Sequence, residues 1–90
     1  MESFSLFLAP RYKSAVARIK RKKPDLLLSL ERGITKLLRN PELGKPLRHT
    51  LRNYRRIHIE GSFVLLYEIK QNEVRLIDFD HHDRIYKKYS

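Results

Sequence analysis

The sequence contains no cysteine among its 90 residues. Disulfide bonds, thiolate metal ligands and a cysteine nucleophile are therefore excluded, and the composition fits a reducing compartment. Long apolar runs are also missing. The first residues, MESFSLFLAP, are too few to span a bilayer, and no small-residue cleavage site follows them. We therefore expect a soluble, unprocessed cytoplasmic protein that forms a single domain over residues 1–90.

Acidic residues are scarce over more than half of the chain. Residues 11–56 carry fifteen Lys and Arg against three Asp and Glu, whereas residues 57–90 carry five basic and six acidic residues. The whole chain has a formal net charge of +10. Such an imbalance attracts polyanions, so nucleic acid, an anionic membrane surface or an acidic protein is the expected kind of partner.

Apolar spacing predicts a strand and two helices in the first half of the chain. Residues 3–8, SFSLFL, alternate in polarity and predict a short strand. Pro10 suits the first turn of a helix, and an apolar stripe at helical spacing continues to the KRKK segment. Pro24 begins a second helix with a 3.6-residue apolar period, which Asn40-Pro41 ends. Because almost nothing joins the two helices, we expect a helical hairpin.

After a loop at residues 40–46, the apolar period changes to two residues. Strands are predicted at residues 54–61, 63–70 and 73–80, and a short tail, DRIYKKYS, follows. The sequence therefore predicts an α+β fold of order β-α-α-β-β-β. In this fold a small, mostly antiparallel sheet carries the helical hairpin on one face, and the opposite face stays polar and holds the functional site.

The segment DHHDRIY near the C-terminus contains the adjacent residues His81 and His82. Neighbouring residues of a regular strand point to opposite faces, so the two imidazoles are not expected to bind one ion. Zinc needs three or four ligands, and His49 and His58 lie at no spacing that completes such a site. We therefore predict no metal site and no cofactor.

Strand periodicity directs Arg56 and His58 to the polar face of the sheet. If Ile57 and Ile59 face the helices, the residues that alternate with them face the other way. Imidazole transfers protons near neutral pH, and a guanidinium group stabilises negative charge on a phosphate. These residue types suit phosphodiester chemistry.

The same reasoning applies to the end of the last strand. If Ile77 and Phe79 face the helices, His82 lies on the polar side with Asp80, and Tyr86 lies one short step beyond. An RNA 2′-hydroxyl is an internal nucleophile, so a well-placed base, acid and cation need no metal ion. The alternative is that the histidines are ordinary surface residues and that Tyr86 closes the core.

The stretch GKPLRHTLRNYRRIHIEGSFVLLYEI, followed by VRLIDFDHHDRIY, resembles the RelE/ParE superfamily of bacterial and archaeal toxins. The shared pattern is a KPL loop, a basic strand, a hairpin, a strand ending in Tyr-x-Ile, and a C-terminal GHRxxVY or GTHxxLF motif. The resemblance covers nearly the whole chain and implies the same order of elements. RelE-like and YafQ-like members are ribosome-dependent ribonucleases that cut mRNA in the A site, and a partner antitoxin holds them inactive.

The resemblance implies five catalytic residues. Lys45 takes the place of the His in the HPL loop of the YafQ-like branch, and Arg56 and His58 match site residues of the following strand. His82 falls on the C-terminal site position, and Tyr86 falls on the aromatic residue four positions later. His58 and His82 would share the base and acid roles, Arg56 and Lys45 would stabilise the phosphorane, and Tyr86 would pack or stack on a nucleotide.

His81 matches a His of the family pattern that is expected to support the strand end. The chain departs from the family pattern at two positions. Val64 stands where many members have Arg, and Ser62 replaces the hairpin Asp of the YafQ-like branch. Arg55, Arg56 or Lys45 would then supply the phosphate cation. Two alternatives stay open: a ParE-like, non-enzymatic toxin that binds DNA gyrase, and an inactive module that binds only an antitoxin or nucleic acid.

The sequence therefore predicts the toxin of a type II toxin–antitoxin pair, a metal-independent mRNA endoribonuclease that inhibits translation. The expected partners are an acidic antitoxin, the ribosome and mRNA, without a membrane. Basic side chains are expected to bind ribosomal RNA through its phosphates. These residues are Arg55, Arg18, Lys20, Arg21, Lys22 and Lys23.

Overall fold

The computed structural model describes residues 4–89. In chain order its helices and strands are β1 (Ser5–Leu8), α1 (Pro10–Lys22), α2 (Pro24–Arg39), β2 (Lys45–Pro46), β3 (Arg55–Ile59), β4 (Phe63–Lys70), β5 (Glu73–His81) and α3 (His82–Lys88). Every predicted helix and strand is present, and β2 and α3 are additional. The predicted first strand also included Ser3, which lies outside the described residues.

Proline begins both long helices, as predicted. Pro10 and Pro24 occupy the first turns of α1 and α2, where the missing N–H costs no helical hydrogen bond. Lys23 alone separates the two helices, so α2 folds back against α1. No helix within residues 4–89 is long and apolar enough to cross a membrane.

The five strands form one sheet in the order β1-β5-β4-β3-β2. β1 runs parallel to β5, and every other neighbouring pair is antiparallel. Left-handed backbone conformations close the two hairpins, at Glu60 and Gly61 between β3 and β4 and at Gln71 between β4 and β5. The predicted α+β fold with a mostly antiparallel sheet is confirmed.

The main core lies between the sheet and the helical hairpin, on what we call the hairpin face. Tyr12 and Ala15 of α1 and Leu26, Leu30 and Leu37 of α2 are buried there. They pack on strand residues that share one side of the sheet. These are Ile59, Leu65, Tyr67, Val74, Leu76 and Phe79. The apolar stripes predicted for both helices therefore face the core.

The opposite face is not the open polar surface that we expected. His82 and most of the predicted tail, residues 83–88, form α3, which covers this face and buries Ile85 against Val64 and Leu66. We call this side the α3 face. The predicted loop at residues 40–46 also contains β2, which pairs with β3 and widens the sheet.

A bulge in β5 accounts for another correction. Leu66 pairs with Asp78, whereas the next residue, Tyr67, pairs with Leu76, so Ile77 is an extra residue in β5. Ile77 consequently packs on the α3 face, and the prediction that it faces the helices is wrong. Phe79 lies beyond the bulge and faces the helices as predicted.

Candidate functional site

A small apolar cluster and a polar network hold α3 on the sheet. Ile85 is almost fully buried with Val64 and Leu66, and Tyr86 and Tyr89 pack around this cluster. A helix of seven residues is marginal by itself, so its position depends on these contacts.

Asp78 and Asp80 supply the polar part of this attachment. The Lys88 ammonium group lies 2.9 Å from Asp78 Oδ2 and 2.9 Å from Asp80 Oδ2, and Arg84 Nε lies 2.9 Å from Asp80 Oδ1. Tyr89 donates its hydroxyl proton to Asp78 Oδ2 at 3.1 Å. Asp78 is 1% exposed, so these partners compensate a charge that would otherwise be costly to bury.

The pKa shifts agree with a network built around ionised carboxylates. Burial alone would raise the pKa of Asp80, but hydrogen bonds from Lys88, Arg84 and the His81 N–H bring it below its ordinary value. Burial, followed by the charge of Asp78, raises the pKa of Tyr89 to about 12. Asp80 therefore stays charged at neutral pH, while the Tyr89 hydroxyl keeps its proton.

Arg56 and Tyr86 meet on the α3 face. Arg56 Nη1 donates a hydrogen bond to the Tyr86 hydroxyl, and the guanidinium carbon lies 5.8 Å from the centre of the ring. Both side chains are half-buried. The predicted cation and the predicted aromatic residue thus form one unit, although they are thirty residues apart in the chain.

Lys45 and His58 flank Arg56 on the same side of the sheet. Lys45 of β2 is the direct cross-strand partner of Arg56, and His58 lies two residues further along β3, so both point the same way as Arg56. The side chains of Lys45 and His58 are exposed. These two residues and Arg56 form a row of cationic or titratable groups beside Tyr86.

Tyr67 and Arg55 position β2. The buried Tyr67 hydroxyl donates to the Pro41 carbonyl oxygen at 2.7 Å and accepts from the Gly44 N–H at 2.8 Å. A side chain at Gly44 would collide with this hydroxyl and lie 2.7 Å from the Arg56 carbonyl oxygen. Only glycine therefore lets the loop approach β3 closely enough to bring Lys45 beside Arg56.

Arg55 faces away from Arg56 and contributes to the same loop. It pairs with Tyr67 across the strands, and its Nη1 donates to the carbonyl oxygens of Glu42 and Gly44 at 3.2 and 2.9 Å. In the structure Arg55 therefore positions the loop that precedes Lys45. The predicted contact of Arg55 with RNA stays a prediction.

His81 and His82 lie where β5 turns into α3. Their rings stack with centroids 4.5 Å apart, and the ring of Phe63 meets His81 edge-on. The His82 N–H donates to the Ser62 carbonyl oxygen at 2.9 Å, which ties the start of α3 to the β3–β4 hairpin. The His82 side chain is 44% exposed. His82 is therefore accessible, and His81 supports the strand end as predicted.

The argument that separated the two histidines onto opposite faces is wrong. β5 ends at His81, and because the chain bends there, potential ligand atoms of His81, His82 and Asp83 lie within 4.8 Å of one another. The Asp83 N–H, however, donates to His81 Nδ1 at 3.2 Å, so that lone pair already caps α3. A metal ion using this nitrogen would have to break the cap.

His82 and Tyr86 lie one helical turn apart, since α3 includes both, and side chains four residues apart share a helix surface. The four-residue spacing in the sequence thus places His82 on the same side of α3 as the Arg56–Tyr86 pair. Within the described part of the chain, no hydrogen bond or ion pair joins His82 to His58 or Lys45. Arg56 and Tyr86 are thus in contact, Lys45 and His58 lie beside Arg56, and His82 lies one helical turn from Tyr86.

The predicted RNA-binding residues of the helical hairpin lie elsewhere. Lys20 and Arg21 are exposed on α1, which packs on the hairpin face. Arg18, Lys22 and Lys23 line a cavity between α1 and α3 at the edge of the sheet. Lys45 and Arg56 do not line this cavity.

Sequence reasoning missed Asp78, Lys88, Tyr89 and Tyr67. Asp78 could have been noticed, since a carboxylate inside the apolar run VRLIDFD demands a buried partner. Nothing in the sequence indicates that the partner is Lys88, because the path of α3 depends on the bulge at Ile77.

Comparison with known proteins agrees with this architecture. Residues 6–86 match the family model for the ParE toxin of type II toxin–antitoxin systems. A protein of Methanocaldococcus jannaschii that is named as a candidate toxin, RelE4, is 32% identical over an alignment of 87 residues, and the match covers 94% of this chain and 93% of that protein.

Solved structures of toxins share the fold. The toxin–antitoxin complex RelBE2 of Mycobacterium tuberculosis includes a chain with a TM-score of 0.73 and 25% identity, covering 90% of this chain and 93% of that one. The DinJ–YafQ toxin–antitoxin complex of E. coli includes one with a TM-score of 0.75 and 18% identity, covering 93% and 98%. Taken with the family match over nearly its full length, these likenesses mean that the chain belongs to the RelE/ParE superfamily of type II toxins.

Proposed function

We propose that this toxin is a ribosome-dependent endoribonuclease that cleaves mRNA without a metal ion and thereby inhibits translation in the cytoplasm. The observation that carries the proposal is the contact between Arg56 and Tyr86, flanked by Lys45 and His58 and lying one helical turn from His82. We expect these residues to present two cations, two imidazoles and an aromatic ring to one RNA substrate.

The reaction is attack of an RNA 2′-hydroxyl on the adjacent phosphate. The new O–P bond closes a 2′,3′-cyclic phosphate as the bond to the 5′-oxygen breaks, and that oxygen leaves as a 5′-hydroxyl. One of His58 and His82 removes the proton from the 2′-hydroxyl, and the other protonates the leaving oxygen. Arg56 and Lys45 stabilise the charge that accumulates on the phosphorane.

Tyr86 packs against a nucleotide next to the scissile phosphate. The side chain is half-buried. It packs against the apolar cluster around Ile85, and its hydroxyl accepts a hydrogen bond from Arg56. Binding to the ribosome uses phosphate contacts from Arg18, Lys20, Arg21, Lys22 and Lys23, whose affinity falls as salt rises. The partner that silences the toxin is an acidic antitoxin, as in the toxin–antitoxin complexes of the structural relatives.

Cleavage of mRNA during translation in a purified system tests the proposal. A positioned general acid or base contributes about 10²–10⁴-fold to rate, so His82→Ala should lower cleavage by that factor. His49→Ala is the matched control, because His49 is exposed in the β2–β3 connection and belongs to no predicted site. Wild-type cleavage by the His82→Ala variant would refute the catalytic role of His82.

A second candidate is a non-enzymatic toxin that binds DNA gyrase. The family model matched by the chain is that of ParE. Val64 stands where many members of the superfamily have Arg, and Ser62 replaces the hairpin Asp of the YafQ-like branch. Gyrase supercoiling assays with the purified toxin separate the two candidates. Inhibition of supercoiling together with intact mRNA would favour the gyrase candidate.

A further inference from the structure

The turn from β5 into α3 brings two imidazoles and a carboxylate together. β5 ends at His81 and α3 begins at His82, so the alternation of a strand stops between them. Potential ligand atoms of His81, His82 and Asp83 lie within 4.8 Å of one another. A regular strand through His82, which would have kept the two imidazoles on opposite faces, is therefore not what the chain forms.

The Asp83 carboxylate lies close to both rings. Its Oδ1 is 3.0 Å from His82 Nδ1, and its Oδ2 is 3.7 Å from His81 Nδ1. Two ligand atoms of a tetrahedral zinc ion, each bonded at about 2.1 Å, are about 3.4 Å apart. The two observed separations lie on either side of this value, so small side-chain movements suffice for all three groups to coordinate one ion.

Two existing interactions change when an ion binds. The imidazole rings are stacked with 28° between their planes, so one ring has to rotate before both lone pairs point at one ion. The His82 side chain is accessible and Asp83 is exposed, which permits this rotation. His81 Nδ1 also gives up the N–H of Asp83, and a single capping hydrogen bond is weak beside coordination of a metal by three side chains.

The donor set selects the kind of ion. Two imidazoles and one carboxylate suit Zn²⁺ and similar transition-metal ions, whereas Mg²⁺ and Ca²⁺ prefer oxygen ligands. The fourth position of a tetrahedral ion is left to water. The cation that follows in the chain, Arg84, donates its Nε to Asp80 Oδ1 at 2.9 Å, so its charge is already paired with a carboxylate.

We propose that His81, His82 and Asp83 form an inhibitory site for Zn²⁺ or a similar transition-metal ion. With Nδ1 of His82 bound to the ion, Nε2 keeps its proton, and the ring no longer accepts or releases a proton near neutral pH. The ion therefore stops mRNA cleavage and is not a cofactor of it. Inhibition rests on the proposed function, whereas binding of the ion does not.

Two variants each remove one ligand and preserve the start of α3. His81→Asn replaces the imidazole by a side chain that is itself a favoured helix cap. Asp83→Asn keeps the size of the side chain and the backbone N–H that donates to His81. Neither residue belongs to the proposed catalytic set. His49→Ala is the matched control, because it removes an imidazole that is exposed in the β2–β3 connection.

Calorimetric titration of the untagged proteins with zinc chloride measures binding. Wild type and His49→Ala should bind with equal affinity, and each ligand variant should bind about tenfold more weakly or worse, since loss of even an outer partner of a metal site costs about 10–100-fold. Magnesium chloride should not bind at this site. In NMR spectra, zinc should shift the imidazole signals of His81 and His82 and leave those of His58 in place. Equal affinities for all four proteins, or shifts confined to His58, would overturn the proposal.

Cleavage of mRNA in the purified translation system tests inhibition. Zinc should abolish cleavage by wild type, a zinc-selective chelator should restore it, and Asp83→Asn should continue to cleave at the same zinc concentration. Equal inhibition of wild type and Asp83→Asn would place the effect of zinc outside this site and overturn its inhibitory role. A toxin that binds zinc here but never cleaves mRNA would refute the proposed function and leave the metal site supported.

Discussion

The two faces of the sheet are built in different ways. Within residues 4–89, eleven buried residues from α1, α2 and the strands form one continuous core on the hairpin face. On the α3 face, the buried apolar cluster of the same residues has three members, Val64, Leu66 and Ile85, and ionic contacts to Asp78 and Asp80 supplement it. The candidate catalytic residues lie on the face with the smaller cluster.

Because of this difference, the hairpin face mainly determines the stability of the protein, and the α3 face mainly determines the geometry of the candidate site. Burial of apolar surface contributes about 25 cal/mol per Å², so the hairpin face supplies most of the free energy of folding. The position of α3, and with it Tyr86 and His82, depends on a few directional contacts. Changes on the hairpin face should therefore unfold the chain, whereas changes on the α3 face should release the helix and disable the site in a folded protein.

Leu30→Ala should have the largest effect on stability. Leu30 is fully buried between α2 and the sheet, and truncation of such a leucine costs about 2–5 kcal/mol through lost burial and the cavity left behind. Urea denaturation followed by circular dichroism measures the change in the free energy of unfolding. A loss below about 1 kcal/mol would contradict the assignment of the main core to the hairpin face.

Ile85→Ala is the counterpart on the other face. Ile85 is 1% exposed. Its truncation cannot lower the free energy of global unfolding by more than the free energy that docks α3, because the helix can detach while the sheet stays folded. The loss in global stability should be smaller than for Leu30→Ala, while mRNA cleavage falls sharply. Equal losses in stability would mean that α3 folds cooperatively with the whole chain.

Asp78→Asn should loosen α3 without unfolding the sheet. It removes the charge that holds Lys88 and weakens the hydrogen bond from Tyr89, which we expect to cost about 1–3 kcal/mol of α3 protection. Hydrogen exchange should accelerate in α3 and stay slow in β4. Glu42→Gln, at an exposed turn, is the control and should leave both rates unchanged.

Acid should also loosen α3, but by less than Asp78→Asn does. The folded state lowers the pKa of Asp80, so its contribution to stability is present above the ordinary pKa of 3.8 and is lost as the pH falls through the folded value. NMR signals of α3 should therefore change below about pH 4, before those of the hairpin face. Asp80→Asn should abolish this part of the titration; an unchanged acid transition in that variant would exclude Asp80 as its cause.

The hairpin face could be predicted from the sequence because its signals are local and repeated. Leu26, Leu30 and Leu37 recur at helical spacing, and proline marks the start of each helix. The alternation of Ile57 and Ile59 likewise assigned β3 to the correct face. Each of these signals lies within one element and is independent of how distant residues meet.

The α3 face could not be predicted because it depends on non-local contacts. The bulge at Ile77 shifts the register of β5, and no residue type in VRLIDFD indicates where the extra residue lies. The seven residues of α3 are too few for a clear apolar period. Strand periodicity and family resemblance both indicated His82 and Tyr86, whereas the contact of Tyr86 with Arg56 follows from the docking of α3.

Tyr86→Phe should have the smallest effect and decides what the tyrosine does. The change keeps the ring and its apolar contacts but removes the hydroxyl that accepts a hydrogen bond from Arg56. Such a bond at a half-buried site contributes about 0.5–1.5 kcal/mol, so cleavage should fall by about tenfold at most. Tyr86→Ala should cost more, because stacking on a base is worth about 1–3 kcal/mol and the packing of α3 is also lost.

The two variants together separate stacking from proton transfer. If the Tyr86 hydroxyl transferred a proton in the reaction, Phe would be as damaging as Ala, with a loss of about 10²-fold or more for both. If the ring stacks, Phe retains activity and Ala does not. Single-turnover cleavage rates at saturating ribosome concentration measure this ratio without a contribution from binding. We expect stacking, because the Tyr86 hydroxyl already accepts a hydrogen bond from Arg56. The same contact holds the Tyr86 ring in place on the α3 face.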